Sequence, residues 1–143
     1  MLNKKIMSNL NGTMLADILV VEDNQDDVFL INLAIKKANI NSKVFVINNG
    51  EEAMNHLTKL INEKAKLPDL ILLDINLPKI TGLEVLKRIK SNKFIKSIFT
   101  VVFTSSDSPF DMNYCYQNGA DFYIKKPNNI SELKNIISLV FSC

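Results

Sequence analysis

Acidic residues follow two apolar runs of the sequence, and together they can bind a divalent cation. Glu22 and Asp23 come directly after residues 18–21, and Asp74 comes directly after Leu70–Leu73. Neighbouring carboxylates repel one another unless a cation neutralises them. Hard oxygen ligands at this density favour Mg²⁺, with Mn²⁺ as an alternative. We therefore predict a divalent-cation site formed by residues that are far apart in the chain.

Asp74 also has the surroundings of a nucleophile. Four apolar residues precede it, which predicts a carboxylate at the end of a buried strand. A carboxylate can attack a phosphoryl group to form an acyl phosphate, provided that positive charge screens the approach of the two anions. Lys126 can supply that charge, and the hydroxyl of Thr104 can donate to a phosphoryl oxygen. Each residue alone is typical of a turn or a solvated strand end, so the hypothesis depends on all of them together.

Alternating strands and helices would bring these side chains together. Five short apolar runs alternate with five segments of helical period, which is typical of a parallel sheet with helices on both faces. The predicted strands are residues 18–21, 44–47, 70–73, 98–103 and 122–124, and the predicted helices are residues 26–38, 51–63, 83–89, 109–118 and 130–141. We expect every strand to be buried on both faces. In such sheets the functional crevice lies beyond the carboxyl ends of the strands, where the acids, the hydroxyl and the ammonium would meet.

The composition favours one folded domain in a reducing cytoplasm. With 143 residues, of which 47% are apolar and 22% charged, the chain can form one core and is too apolar to be disordered. Only one of the 17 basic residues is an arginine, which disfavours a nucleic-acid partner. The two cysteines lack metal-ligand spacing, and no apolar run is long enough to span a membrane.

The chain divides into a tail and a domain. Residues 1–16 are mostly polar near their middle and lack a signal-peptide segment, so we expect a disordered or poorly ordered tail. Residues 17–143 would form the domain. Because no linker or further segment follows the last predicted helix, we expect the domain to act alone or through partners.

Four motifs resemble those of two-component response regulator receiver domains of the CheY-like type. They are ILVVEDN with Glu22 and Asp23, LILLDINLPKITG with Asp74, VVFTSS with Thr104, and NGADFYIKKP with Tyr123 and Lys126. The resemblance extends from residue 17 to residue 141, and the order and separations of the motifs are those of the family. The VEDNQDD opening and the segment LPDLILLDINLP most resemble stand-alone regulators associated with phytochrome-type histidine kinases.

The resemblance implies a phosphoryl-accepting signalling domain rather than an enzyme. Its fold would be flavodoxin-like, with five parallel strands in the order 2-1-3-4-5 and five helices. Asp74 would accept the phosphoryl group from a sensor histidine kinase or a phosphotransfer protein. Asp23 and Asp74 would ligate Mg²⁺ directly, the backbone carbonyl of Asn76 would add a third protein ligand, and Glu22 would act through water. Asn76 and Ser106 would tune the lifetime of the phosphoryl group.

The resemblance also implies a conformational switch. Lys126 would pair with the phosphoryl oxygens, aimed by a cis peptide bond to Pro127. Thr104 would move towards the phosphoryl group and Tyr123 would turn inward. The two movements would change the face formed by the fourth helix, the fifth strand and the fifth helix.

An apolar excess on the fourth and fifth helices predicts that this face binds a partner. Phe110 and Tyr114 are four residues apart on the fourth predicted helix. The fifth predicted helix carries more apolar residues than one buried stripe needs, namely Ile130, Leu133, Ile136, Ile137, Leu139, Val140 and Phe141. We predict that the face binds an unidentified downstream protein or a second copy of the chain.

Three other functions remain open from the sequence. A phosphate shuttle or sink within a relay would use the same site residues. A haloacid dehalogenase-like phosphohydrolase also phosphorylates an aspartate beside Mg²⁺, but it needs a carboxylic acid two residues later, where this chain has Asn76. A flavodoxin-like flavin carrier needs a phosphate-binding loop after the first strand, where EDNQDD would repel a phosphate.

Other ionisable residues are interpreted as structural or solvated. Asp26 or Asp27 would cap the first predicted helix, His56 would be a surface or boundary residue, and Lys125 would point away from the site. A basic stretch would form a solvated helix face and loop, and it consists of Lys87, Arg88, Lys90, Lys93 and Lys96.

Overall fold

A computed structural model describes residues 15–142, which form a five-stranded parallel sheet with helices on both faces. The strands are β1 (Ala16–Val21), β2 (Ser42–Ile47), β3 (Leu70–Leu73), β4 (Phe99–Thr104) and β5 (Phe122–Lys125). The helices are α1 (Gln25–Lys37), α2 (Gly50–Asn62), α3 (Gly82–Ser91), α4 (Pro109–Gln117) and α5 (Ile130–Ser142). The strand order is β2-β1-β3-β4-β5. The predicted fold class and strand order are confirmed.

The predicted first and last residues of the strands and helices differ from the observed ones by at most two positions. β1 begins at Ala16, which is fully buried. Ala16 is the last residue of the predicted tail, so the tail prediction is wrong for this residue. The tail prediction for residues 1–14 lies outside the described residues, as does Cys143. No helix within residues 15–142 combines the length and the apolar character that a bilayer crossing requires.

The hydrophobic core has two halves, one on each face of the sheet. Successive residues of β1 alternate between them, because strand side chains point to opposite faces: Leu19 belongs to the half under α2, α3 and α4, and Val20 to the half under α1 and α5. Each fully buried aliphatic side chain stabilises the fold by about 1.5–3 kcal/mol. Cys115 of α4 lies in the first half, and burial raises the pKa of its thiol to about 11, so it acts as an apolar residue.

The prediction that all five strands are buried on both faces is wrong for the two edge strands. The residues of β5 are all half-buried or exposed, and most residues of β2 are also half-buried or exposed. The β2 side chains Phe45 and Val46 are 51% and 39% exposed. β2 is an edge strand that pairs with β1 alone, so neighbouring strands and helices cover it less than the central strands. The ring of His56 stacks on Phe45 at a centroid distance of 4.8 Å. His56 is half-buried there, which confirms its interpretation as a boundary residue.

The basic stretch on α3 and the following loop is solvated only in part. The Nζ of Lys90 donates to the carbonyls of Lys96 and Ile98 at 3.0 and 2.8 Å, and it pairs with Asp121 at 3.3 Å. Only 12% of its side chain is exposed. The prediction of a solvated face is therefore wrong for Lys90, which ties the end of α3 to the start of β4.

The apolar excess predicted for α5 is largely used inside the protein. Leu133, Ile137, Val140 and Phe141 are all buried in the core. Leu139 is the exception on α5, at 66% exposed. On α4, Phe110, Met112 and Tyr116 are 71%, 39% and 46% exposed. The exposed apolar surface of the predicted partner-binding face, which is formed by α4, β5 and α5, therefore lies mainly on α4.

Candidate functional site

The carboxyl ends of the central strands bring the site residues together at one edge of the sheet. Val21 lies opposite Leu73 in the parallel pairing of β1 with β3, so the acids that follow them are neighbours. The Asp74 N–H donates to the Val21 carbonyl at 3.0 Å, which extends that pairing by one residue. The N–H of Lys126 donates to the carbonyl of Thr104 at 2.7 Å. This bond extends the pairing of β4 with β5 in the same direction.

Three carboxylates form a cluster at this edge. Glu22, Asp23 and Asp74 each offer one oxygen, and these oxygens lie within 4.8 Å of one another. Glu22 and Asp74 are 2% and 5% exposed, whereas Asp23 is exposed to solvent. A cleft of about 470 Å³ opens beside Glu22 and Asp23. The acids that the sequence predicts to converge therefore do converge, and an ion can reach them from solvent.

Burial makes the charge of Glu22 costly. Its Oε2 accepts a hydrogen bond from the Asn24 N–H at 3.1 Å. Its Oε1 pairs with the Lys126 ammonium but accepts no well-aligned hydrogen bond from the described part of the chain. Desolvation raises the pKa of Glu22 to about 7, and the charge of Asp74 adds to the rise. The Lys126 ammonium and the hydrogen bond from the Asn24 N–H act in the opposite direction.

The donor set of the cluster fits a divalent cation. All three groups are carboxylates, which are the ligands that hard cations prefer. The Oε1 atom of Glu22 is buried and incompletely hydrogen-bonded, and a nearby cation would offset the cost of its charge.

Lys126 lies among three carboxylates. Its Nζ donates to Asp27 Oδ2 at 2.7 Å and to Asp74 Oδ2 at 3.0 Å, and it also pairs with Glu22 Oε1. Only 13% of the side chain is exposed. Burial opposes the charged form, but the interactions with the three carboxylates outweigh it and raise the pKa of Lys126 above its usual value. The side chain is therefore an ammonium at every physiological pH.

Both oxygens of Asp74 have a donor. The N–H of Asn76 donates to Oδ1 at 3.1 Å, and Lys126 donates to Oδ2. The Asn76 side chain is exposed. Thr104 at the end of β4 is fully buried, and its Oγ1 accepts a hydrogen bond from the Ser106 N–H at 3.3 Å. The carboxylate is thus held in one orientation, with the threonine on the next strand of the sheet.

Tyr123 holds the loop between β4 and α4. Its hydroxyl donates to the carbonyl of Ser106 at 2.7 Å, and its N–H donates to the Tyr116 hydroxyl at 3.1 Å. The Ser106 hydroxyl donates to Asp111 Oδ2 at 2.7 Å, so it is bound to the first turn of α4. Burial raises the pKa of Tyr123, which keeps the phenol protonated. One loop therefore connects Thr104, Tyr123 and α4.

Comparison with known families shows the family of the chain. The pattern of the response regulator receiver domain family matches residues 18–138. The chain belongs to this family. As a receiver domain it is a module of two-component signalling.

Two curated relatives cover most of this receiver domain. The response regulator Rcp1 of Synechocystis sp. is 36% identical over 121 residues, which cover 84% of this chain and 82% of Rcp1. The probable methanogenesis regulatory protein FilR2 of Methanothrix harundinacea is 33% identical over 120 residues, which cover 84% of this chain and 77% of FilR2.

Solved structures of receiver domains superimpose well on the chain. The phosphorylated cyanobacterial phytochrome response regulator RcpA gives a TM-score of 0.80 at 38% identity and covers 88% of this chain and 91% of RcpA. The Mn²⁺-bound form of Rcp1 gives a TM-score of 0.77 at 33% identity and covers 89% and 92% of the two chains. The predicted resemblance to phytochrome-associated regulators is confirmed.

Sequence reasoning missed one residue of the receiver-domain site. The sequence predicts Asp26 or Asp27 as the helix-capping acid, but the N-cap of α1 is Asn24, whose Oδ1 accepts from the Asp27 N–H at 3.0 Å. The carboxylate of Asp27 instead binds Lys126. The available signal was its position four residues after Asp23, in the first turn of a helix that starts at the same sheet edge.

Two finer predictions about the end of β5 have different outcomes. The prediction of a cis Lys126–Pro127 bond is wrong, because no peptide bond within residues 15–142 is cis. Trans is the more stable isomer of such bonds, and with it the Lys126 amine already reaches Asp74. The prediction that Lys125 points elsewhere is confirmed, since it is exposed and pairs with Asp107 at 3.2 Å.

Proposed function

We propose that this receiver domain, residues 17–143, acts in the cytoplasm and accepts a phosphoryl group on Asp74 from a sensor histidine kinase or a phosphotransfer protein. The observation that supports this proposal is the 3.0 Å contact between Lys126 Nζ and Asp74 Oδ2 at the end of a buried strand. An ammonium in this place lowers the electrostatic cost of bringing an anionic phosphoryl donor to an anionic nucleophile.

Mg²⁺ would bind beside Asp74, and Mn²⁺ can replace it. Asp23 and Asp74 would be direct ligands, the backbone carbonyl of Asn76 would add a third, and Glu22 would act through water. The clustering of three carboxylate oxygens supports this assignment, and a relative, Rcp1, has been crystallised with Mn²⁺. The bound cation would supply positive charge that neutralises the acids and stabilises negative charge on the transferred group.

The chemical step uses the residues that already surround Asp74. A carboxylate oxygen attacks phosphorus, the bond from phosphorus to the donor histidine nitrogen breaks, and its electron pair stays on the imidazole. The N–H of Asn76 orients the carboxylate through Oδ1. Lys126 pairs with the phosphoryl oxygens, and Thr104 donates its hydroxyl to one of them.

The switch would operate through the loop between β4 and α4. When Thr104 turns towards the phosphoryl group, it gives up the hydrogen bond from the Ser106 N–H. Because the Ser106 carbonyl is bound by the Tyr123 hydroxyl, a change in this loop is transmitted to β5, and Tyr123 turns inward. Asn76 and Ser106 tune the lifetime of the phosphoryl group by controlling how water reaches it.

Incubation with a phosphoryl donor tests the proposal directly. We expect the full chain to gain one phosphoryl group, observed by intact-protein mass spectrometry, when it is incubated with phosphoramidate and Mg²⁺ or with a cognate purified sensor kinase and ATP. Chelation of Mg²⁺ is expected to slow the labelling strongly. A chain that stayed unlabelled with every donor, but released phosphate from phosphate esters, would instead be a phosphohydrolase.

We further propose that the face of α4, β5 and α5 binds a downstream protein or a second copy of the chain. Phe110 and Tyr116 expose large aromatic surfaces on α4, and Tyr116 is bonded to Tyr123. An exposed apolar surface of this kind is typical of protein–protein interaction sites, so it supports partner binding.

Beryllofluoride, which mimics the phosphoryl group, tests self-association through this face. We expect light scattering at high protein concentration to show a larger mass with beryllofluoride and Mg²⁺ than without them, because the switch changes the environment of Tyr123 and α4. A Phe110→Ala variant is expected to associate less and to be labelled normally. A strictly monomeric wild-type chain in both conditions would count against self-association and leave a different protein as the partner.

A further inference from the structure

Asp27 contacts Lys126 but has no role in the chemistry proposed above. The distance from Lys126 Nζ to Asp27 Oδ2 is 2.7 Å, shorter than the 3.0 Å to Asp74 Oδ2. The two residues are 99 positions apart, so this bond connects the start of α1 to the end of β5. The Asp27 side chain is 27% exposed, against 6% for Asp74, so it reaches the ammonium from the solvent side.

The helix holds Asp27 in place. Its N–H donates to the side chain of Asn24, which caps α1. Further along the helix, Ile31 and Ala34 are buried in the core and fix α1 on the sheet. A carboxylate in the first turn is also favoured by the helix dipole. Asp27 is therefore a fixed acceptor rather than a mobile surface acid.

The three carboxylates around Lys126 differ in how binding of a cation and a phosphoryl group would affect them. Glu22 and Asp74 belong to the carboxylate cluster, so a cation and a phosphoryl group would change their bonds to the ammonium. Asp27 is not part of that cluster. Its bond to Lys126 can persist throughout, because an ammonium has three donors and can bind Asp27 and a phosphoryl oxygen together.

We propose that Asp27 is a positioning residue that anchors the Lys126 ammonium beside Asp74 for phosphoryl transfer. This inference rests on the proposed function, in which Asp74 is the acceptor. A lysine side chain is long and loses much conformational freedom when it is fixed. If Asp27 already fixes the lysine side chain, its conformational entropy does not have to be lost during the chemical step. The ammonium also stays at the distance that the incoming phosphoryl group requires.

A double-mutant cycle tests the inference. The rate constant for labelling by phosphoramidate with Mg²⁺ is measured by intact mass for the wild type, Asp27→Ala, Lys126→Ala and the double variant. We expect Asp27→Ala to slow labelling about tenfold in the wild-type background. In the Lys126→Ala background it should have no further effect, because Asp27 acts only through the ammonium.

Two further variants separate positioning from folding and from charge. Asp27→Asn keeps an acceptor oxygen of the same shape and is expected to restore part of the lost rate. Asp26→Ala removes the neighbouring exposed acid and is expected to label at the wild-type rate. Urea unfolding midpoints show which variants are folded at the assay temperature. If Asp27→Ala is not folded, the labelling rate of Asp27→Asn is used in its place.

Each outcome supports or overturns the inference. Faster labelling of Asp27→Ala would mean that Asp27 competes with the phosphoryl group for the ammonium, and equal slowing in both Lys126 backgrounds would mean that it acts independently of Lys126. Either result overturns the inference and leaves the proposed function intact. A wild-type chain that phosphoramidate and kinases both fail to label would overturn the proposed function, and the inference with it.

Discussion

Replacement of Asp74 by asparagine is expected to abolish phosphoryl labelling. Asparagine has the same size, and its amide oxygen can still accept the hydrogen bond that the Asn76 N–H donates to Oδ1. Its amide nitrogen is a poor nucleophile, and no acyl phosphate can form at this position. We expect the rate of labelling to fall at least about 100-fold, to the background of the assay. The measurement is intact mass after incubation with phosphoramidate and Mg²⁺ and, separately, with a purified sensor kinase.

The control for this substitution is Asp26→Asn, the same chemical change at an exposed position close to the site. It should be labelled like the wild type. The Asp74→Asn chain should remain folded, because the substitution removes a buried charge without changing the shape of the side chain. If Asp74→Asn still took up one phosphoryl group per chain at the wild-type rate, the acceptor would have to be a residue other than Asp74.

The sheet and the edge at which the site residues meet could be predicted because they depend on local patterns. Four consecutive apolar residues at Leu70–Leu73 fit a strand that is covered on both faces, and the structure buries all four. The residue after such a run must lie at the carboxyl edge of a parallel sheet. Hence the convergence of Glu22, Asp74, Thr104 and Lys126 follows from the ends of four runs, without knowledge of any side-chain contact.

Contacts between distant side chains could not be predicted in this way. Lys90 and Asp121 are 31 positions apart, and the length of the lysine side chain alone allows it to reach the loop before β4. Asp27 reaches Lys126 because α1 starts at the same edge at which β5 ends. Local patterns predict that a residue lies in a first helical turn or in a basic stretch. The side chain that it contacts depends instead on how the helices and strands pack together.

Burial of the outer elements depends on their place in the sheet rather than on their own residues. Residues 44–47 of β2 are as apolar as those of the central strand β3, yet Phe45 is half exposed because no strand pairs with the outer edge of β2 within the described sheet. Conversely, α5 buries Leu133, Ile137 and Val140 against the sheet, so its apolar residues do not mark a docking face by themselves. The apolar composition of an element favours its burial, but the position of the element in the fold determines which of its side chains are buried.

The substitution Gly82→Ala is expected to destabilise the fold by about 2–4 kcal/mol. Gly82 is the first residue of α3, and a Cβ atom there would lie 2.1 Å from the carbonyl oxygen of Asp74 and 2.4 Å from the Cα of Ile75. Both are backbone atoms, so no side chain can turn away to make room. The N–H of Gly82 donates to the Ile75 carbonyl at 3.0 Å, which fixes the helix at this close distance. Urea unfolding followed by circular dichroism measures the loss.

Thr81→Ala is the matched comparison for Gly82→Ala, because it adds no atoms and affects the same helix end. The Thr81 hydroxyl caps α3 by accepting from the Glu84 N–H at 3.3 Å, and its loss is expected to cost about 1 kcal/mol. If Gly82→Ala unfolded at the same urea concentration as the wild type, the segment between β3 and α3 would be able to move aside. The close packing would then not fix the peptide of Asp74.

The effect of Gly82→Ala should extend to phosphoryl transfer. The methyl group can be accommodated only if the peptide that follows Asp74 moves, and the carboxylate then moves with it relative to Lys126. At a temperature at which the variant is still folded, we expect labelling by phosphoramidate to be slower than in Thr81→Ala, although both changes lie outside the carboxylate cluster. Equal rates would mean that the position of Asp74 is set by its pairing with β1 and not by α3.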